Sequence, residues 1–266
     1  MGILDDLKKE ADELKIRQET DTQNRLERIT RNFVLVEDKL KQMHHFLLEL
    51  VNQLNVIKPH VLRSYYLSGF GQIDNLLQED YRLNTENFTI DNRDFIKEIH
   101  LAFKCKTDNP LTIDKETPAL IEQFQDYLWR NNLKFEASEF RNARGYAEKT
   151  NFKLESSIPV NFVVSANFDQ AIIKISSRNF AMIGQNEFTY DAEEITEALL
   201  DEFAKFLLDK PNKFRLMGRY QEESKVPAPT TEMEVNYVVQ EGNETAPDEA
   251  KGPKLMGAIR SLFKKA

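Results

Sequence analysis

From Leu26 to Ile57 apolar residues recur every three or four positions without a gap: Leu26, Ile29, Phe33, Val36, Leu40, Met43, Leu47, Leu50, Leu54 and Ile57. The mean spacing is about 3.5 residues, the repeat of helices wound together with a left-handed twist. Residues 3–57 contain no glycine or proline and are rich in Leu, Glu, Lys, Gln and Arg, all good helix formers. Pro59 supplies the stop, because the residue before a proline avoids helical angles. The pattern predicts a coiled-coil-like stalk over 1–59, about 80 Å long if unbroken, with those stripe residues as its oligomerisation seam. Leu4, Leu7, Ala11 and Leu14 keep the same spacing upstream. The bridge between the two stretches runs through Gln18 and Thr22, so the segment near 15–25 is expected to be the weakest part.

With Leu26, Phe33, Leu40, Leu47 and Leu54 at heptad position a, position d holds Ile29, Val36, Met43, Leu50 and Ile57, a choice that favours more than two strands. Phe46 at g, Val51 at e and the off-seam Val34, Leu35 and Leu48 widen the stripe. Two solutions keep it dry: an assembly of several helices, or packing of this end on the chain's own globular part.

From 60 to 84 the spacing reads as a broken helical connector. Val61, Leu62, Tyr65 and Tyr66 share a face, Gly69 and Gly71 interrupt it, and Ile73, Leu76, Leu77 and Tyr81 resume it. Between 85 and 220 the period changes to two. Phe95, Ile99, Leu101, Phe103 and Cys105 alternate with Glu98, His100 and Lys104, the mark of a half-buried strand. Thr117 as N-cap and Pro118 behind it open a helix with the stripe Leu120, Ile121, Phe124, Tyr127 and Leu128. Strands are predicted at 133–141, 149–156, 158–166, 171–177 and 186–190, with a hairpin turn at 167–170. A last helix is predicted from Asp191, whose capping box is completed by Glu194, with Ile195, Leu199, Phe203, Phe206 and Leu207 buried and Pro211 as its stop. The short connections make the strands antiparallel. The expected fold is α+β: the long helix, then one antiparallel sheet with two helices on one face.

Composition narrows the function classes. A formal charge of -8 argues against broad nucleic-acid binding, since a polyanion repels an acidic chain. A single cysteine, Cys105, cannot close an internal disulfide, and its place on the apolar strand face reads as a buried thiol. The N-terminus lacks the basic and apolar regions of a signal peptide, and Asp6 stands where a myristoylation motif needs Ser or Thr. The expected location is cytoplasmic, with peripheral membrane contact as the variant. His44 and His45 point about 100° apart on a helix and chelate one ion poorly. No catalytic, metal-binding or cofactor-binding pattern stands out. Asp191, Glu193 and Glu194 are explained by helix capping. Arg141, Arg144 and Lys149, beside Gly145 and Tyr146, form a small basic cluster suited to an anion or acidic peptide.

Residues 221–253 hold eight acids against Lys225 and Lys251, and also Pro227, Pro229, Pro247 and Pro253. Such a segment buries too little apolar surface to order itself and is expected to be a disordered acidic linker. Residues 254–266 reverse the charge. Leu255, Met256, Ile259, Leu262 and Phe263 fall on one side of a predicted helix that also carries Arg260, Lys264 and Lys265. That is a docking helix for an acidic protein groove or, weakly, an anionic membrane. The expected protein is a non-enzymatic oligomeric adaptor that meets itself through the stalk and partners through the head and tail. The alternatives are a chaperone that binds an exposed client segment, and an enzyme whose site has no recognisable motif.

Overall fold

A computed structural model of the chain describes residues 2–141, 145 and 147–221. The described residues fall into two units, 31–88 with 95–221, and 2–30 with 89–94. The first element is a continuous helix α1, Ile3–Ile57. It ends as expected: Lys58 turns left-handed (φ 47°) and Pro59 follows. The Lys58 N–H still donates to Leu54 O at 2.9 Å.

Ten strands and two further α-helices follow. They are β1 (Leu62–Leu67), β2 (Gly71–Ile90), β3 (Arg93–Lys106), β4 (Leu111–Lys115), α2 (Pro118–Arg130), β5 (Phe135–Arg141), β6 (Ala147–Leu154), β7 (Ser157–Asn167), β8 (Ile172–Arg178), β9 (Gln185–Asp191), α3 (Glu197–Leu207) and β10 (Arg219–Gln221). They build a seven-stranded sheet in the order β1-β2-β3-β7-β8-β9-β10 and a three-stranded sheet in the order β4-β6-β5. Fold class α+β is as expected, but the single sheet is corrected to two. The strands at 135–141 and 147–154 belong to the small sheet, against which α2 packs through Phe124 on Phe152, ring centres 5.1 Å apart.

Residues 60–84 are a second correction. They form β1 and the first part of β2, not a helical connector. The misleading spacing has a physical cause. Asn75 and Asp80 adopt left-handed angles (φ 61° and 60°) inside β2. Each interrupts the alternation of the strand, so buried positions fall at Ile73, Leu76, Gln78 and Tyr81, a spacing that imitates a helix. Gly69 (φ 77°) and Gly71 (φ 112°) make the β1–β2 turn, closed by Phe70 N–H to Leu67 O at 3.0 Å.

The start of the last helix also shifts. Glu194 accepts the Asp191 N–H at 2.8 Å as predicted, but around a 3-10 turn, Ala192–Glu194. Ile195 is buried in extended geometry, and Thr196 caps α3 by accepting the Leu199 N–H.

The core of the larger unit joins all layers. Val36, Leu40, Met43, Leu47, Val51 and Leu54 of α1 share one buried cluster with Ile99, Leu101 and Phe103 of β3, Val160, Phe162 and Val164 of β7, and Leu199, Phe203 and Leu207 of α3. Three hydrogen bonds fix α1 further: Asn32 Nδ2 to Asp169 O at 2.8 Å, Lys39 Nζ to Ile195 O at 2.7 Å and Asn55 Nδ2 to Tyr81 O at 2.9 Å. Phe33 lies 5.1 Å from both Phe95 and Phe168. The buried set runs Leu47, Val51, Leu54 rather than Leu47, Leu50, Leu54. A straight helix of 3.6 residues per turn drifts about 20° per heptad, and here the drift carries burial from position d to position e. From Val36 to Leu54 the helix lies on its own body.

Candidate functional site

The stripe divides in two. From Phe33 to Leu54 it is consumed inside the chain, with Leu50 half-buried, while Ile57 stays 67% exposed. Those inner residues cannot also serve as a seam for another copy; this part of the predicted oligomerisation set is corrected to a core face. Ile29 is buried and Leu26 half-buried. Upstream the picture reverses. Every residue from 12 to 25 is exposed, including Leu14 at 52% and Ile16 at 62%. Here Thr20 and Thr22 turn their hydroxyls back onto Ile16 O and Gln18 O (2.8 and 2.7 Å), bonds internal to the helix. An open hollow on this stretch is lined by Lys15, Gln18, Glu19, Thr22 and Gln23, all solvated.

The seven-stranded sheet offers a second surface. Phe95, Ile99, Leu101, Phe103 and Cys105 of β3 face the core, while Glu98, His100, Ala102 and Lys104 are half-buried on the other side. Strand register extends that face as rows: Glu98 opposite Ser165, then Lys174, then Thr189; His100 opposite Val163, then Ser176, then Glu187; Ala102 opposite Asn161, then Arg178, then Gln185. Most of these side chains are half-buried by one another. Lys174 pairs with Glu187 at 2.8 Å and Lys104 with Glu155 at 3.3 Å. At one end His100 Nε2 lies 3.2 Å from Glu98 Oε2, with Glu86 of β2 beside them.

Under the sheet lies a buried polar centre that the sequence did not announce. Arg63 donates to Phe206 O (3.3 Å), Leu207 O (3.1 Å) and Asp209 Oδ1 (3.1 Å), and its guanidinium sits 4.3 Å from the Phe180 ring centre. Gln78 Nε2 also donates to Leu207 O at 3.3 Å, and Tyr81 OH donates to Gln78 Oε1 at 2.8 Å. These groups cap the carbonyls of the last turn of α3, where Phe206 O also accepts the Asp209 N–H at 3.3 Å. Tyr65 OH donates to Asn179 O at 2.9 Å and lies 3.3 Å from Cys105 Sγ.

Burial, the largest cause, pushes the Cys105 thiol up to about 11, and pushes Tyr65 upward as well. Cys105 is inaccessible, as its strand position predicted. A thiol held neutral in the fold contributes stability that is complete below its ordinary value of 9.0 and is lost as pH rises towards 11. Urea unfolding of the wild type is expected to lose more stability between pH 8.5 and 10.5 than that of Cys105→Ala, by roughly 1–2 kcal/mol. Equal losses in the two proteins would show that the thiol titrates alike folded and unfolded.

The basic cluster is neutralised where it is described. Arg141 pairs with Glu139 at 2.6 Å and donates to Gly145 O at 3.2 Å, while Lys149 pairs with Asp114 at 2.7 Å. Arg144 lies outside the described residues, as do the expected linker from 222 onward, its first residue Gln221 ending β10, and the docking residues Leu255, Met256, Ile259, Arg260, Leu262, Phe263, Lys264 and Lys265. His44 and His45 stand on α1, with His45 Nε2 3.5 Å from Glu49. Among the described residues, no helix is long and apolar enough to cross a membrane. Compared with known proteins, the chain matches no family model, no curated protein and no solved structure.

Proposed function

We propose that the protein is a non-enzymatic adaptor in which the α+β body holds α1 and the N-terminal part of that helix pairs with a second copy. The observation that carries this reading is the unbroken exposure of residues 12–25 in a helix whose C-terminal half is built into a core. A lone, solvated helical stretch of this length is marginal in water. Leu4, Leu7, Ala11 and Leu14 keep a seam spacing that only a partner rewards. The self-association surface is thus moved from 26–57 to the start of the helix. Docking of an acidic protein groove by the basic segment 254–266 completes the adaptor, and doubling of the chain would multiply that weak contact.

The test is light-scattering mass on the full chain over a range of concentrations. The wild type is expected to run as a multiple of one chain, and Leu7→Asp with Leu14→Asp as a single chain whose α+β body still melts cooperatively. A single-chain mass for the wild type throughout would end the self-association reading.

A further inference from the structure

We propose that Glu86, Glu98 and His100 form a binding site for one divalent transition-metal ion of the zinc type. One ligand atom from each of the three lies within 4.8 Å of the other two. The spacing is a product of the sheet. Glu98 and His100 are two apart on β3, so the strand period puts both on the same face, and Glu86 comes from the adjacent β2.

The separation of His100 Nε2 and Glu98 Oε2, 3.2 Å, is close to what two ligands at about 2.0–2.1 Å from a common tetrahedral ion would show. An imidazole with two carboxylates selects zinc or a similar ion over magnesium or calcium, which take oxygen donors only. Three protein ligands leave further positions to water, the arrangement of an open zinc site. Glu98 and His100 are half-buried, so the strands already hold them in place, while Glu86 is exposed.

Lys97 is the built-in competitor. Its ammonium lies 2.6 Å from Glu86 Oε1 and holds that carboxylate below its usual range. An ion that takes Glu86 must displace this contact, so occupancy would replace the single charge of an ammonium with the double charge of the metal. The proposal is independent of self-association through α1.

The test is zinc titration of the full chain by calorimetry, with cobalt absorption in the visible as a second readout. One equivalent is expected to bind the wild type in the micromolar range. Glu98→Gln and His100→Ala should each weaken it at least tenfold, and Lys97→Gln should tighten it several-fold by removing the competitor. His45→Ala should change nothing, which separates this site from the His45–Glu49 pair on α1. Glu86→Gln, at an exposed position, keeps the test decisive if either β3 variant alters the melting temperature. Absence of zinc uptake by the wild type, or uptake indifferent to His100→Ala and Glu86→Gln, overturns the proposal.

Discussion

Leu40→Ala is expected to lower the unfolding free energy by about 2–5 kcal/mol, the usual cost of emptying a fully buried leucine site. Leu40 has no solvent exposure and shares its cluster with the sheet and with α3. For a body of this size each kcal/mol moves the midpoint by roughly 2–4 °C, so a fall of about 4–20 °C should be seen in a thermal melt. The measurement also separates the two fates of the stripe. If Leu40 packs within its own chain, the loss is the same at every protein concentration. If it served a second copy, the variant would weaken association and the loss would change with protein concentration. A concentration-dependent effect of Leu40→Ala would therefore overturn the packing described for α1.

Asn179→Ala should be of similar size for a different reason. Asn179 is fully buried and uses its whole side chain. Nδ2 donates to Asn131 O at 2.9 Å and to Pro159 O at 3.2 Å, and Oδ1 accepts the Gly184 N–H at 3.0 Å. Truncation leaves one part-buried donor and two part-buried acceptors without this partner, at about 1–3 kcal/mol for each one that water does not reach. Asn179 also sits at φ 57°, where alanine is strained by roughly another 1 kcal/mol. A total near 3–6 kcal/mol is expected in urea unfolding, with a fall in the midpoint and an unchanged slope. Asn179→Asp separates hydrogen bonding from shape. It keeps the volume and the left-handed tolerance but presents a carboxylate to two carbonyl oxygens, so it should be no more stable than alanine at neutral pH. Wild-type stability in the aspartate variant would show that the two donor bonds contribute nothing.

Where local chemistry decided the structure, the chain was readable. The Thr117–Pro118 start of α2 is as expected, with Thr117 Oγ1 accepting the Leu120 N–H, because an N-cap and a fixed proline φ act within one turn. The turn at 167–170 falls between β7 and β8, with Asn167 Oδ1 accepting the Asp169 and Gln170 N–H groups. Strand β3 keeps the alternation of Phe95 to Cys105 that a single buried face imposes. β4 and β10 were missed, since each is short, five and three residues, and carries too little pattern to read. The polar centre was missed for another reason. Arg63 and Asp209 are 146 positions apart and Tyr65 and Asn179 are 114 apart, so no local signal joins them. The same holds for Glu86 beside Glu98 and His100, which need two strands paired in one register. Glu-x-His on a strand was the available signal, visible in the alternation but too common to single out.

By itself the sequence determined that residues 3–57 are helical, that this helix carries an apolar stripe in search of cover, and that a period-two region with capped helices follows. Periodicity, caps and proline angles are properties of neighbouring residues, and they act before any tertiary contact forms. Only the tertiary structure decided what covers the stripe, that β1 and β2 replace a helical connector, and that the strands divide between two sheets. Those outcomes turn on which distant apolar and polar groups exclude water from one another, a comparison between whole arrangements that no local spacing encodes.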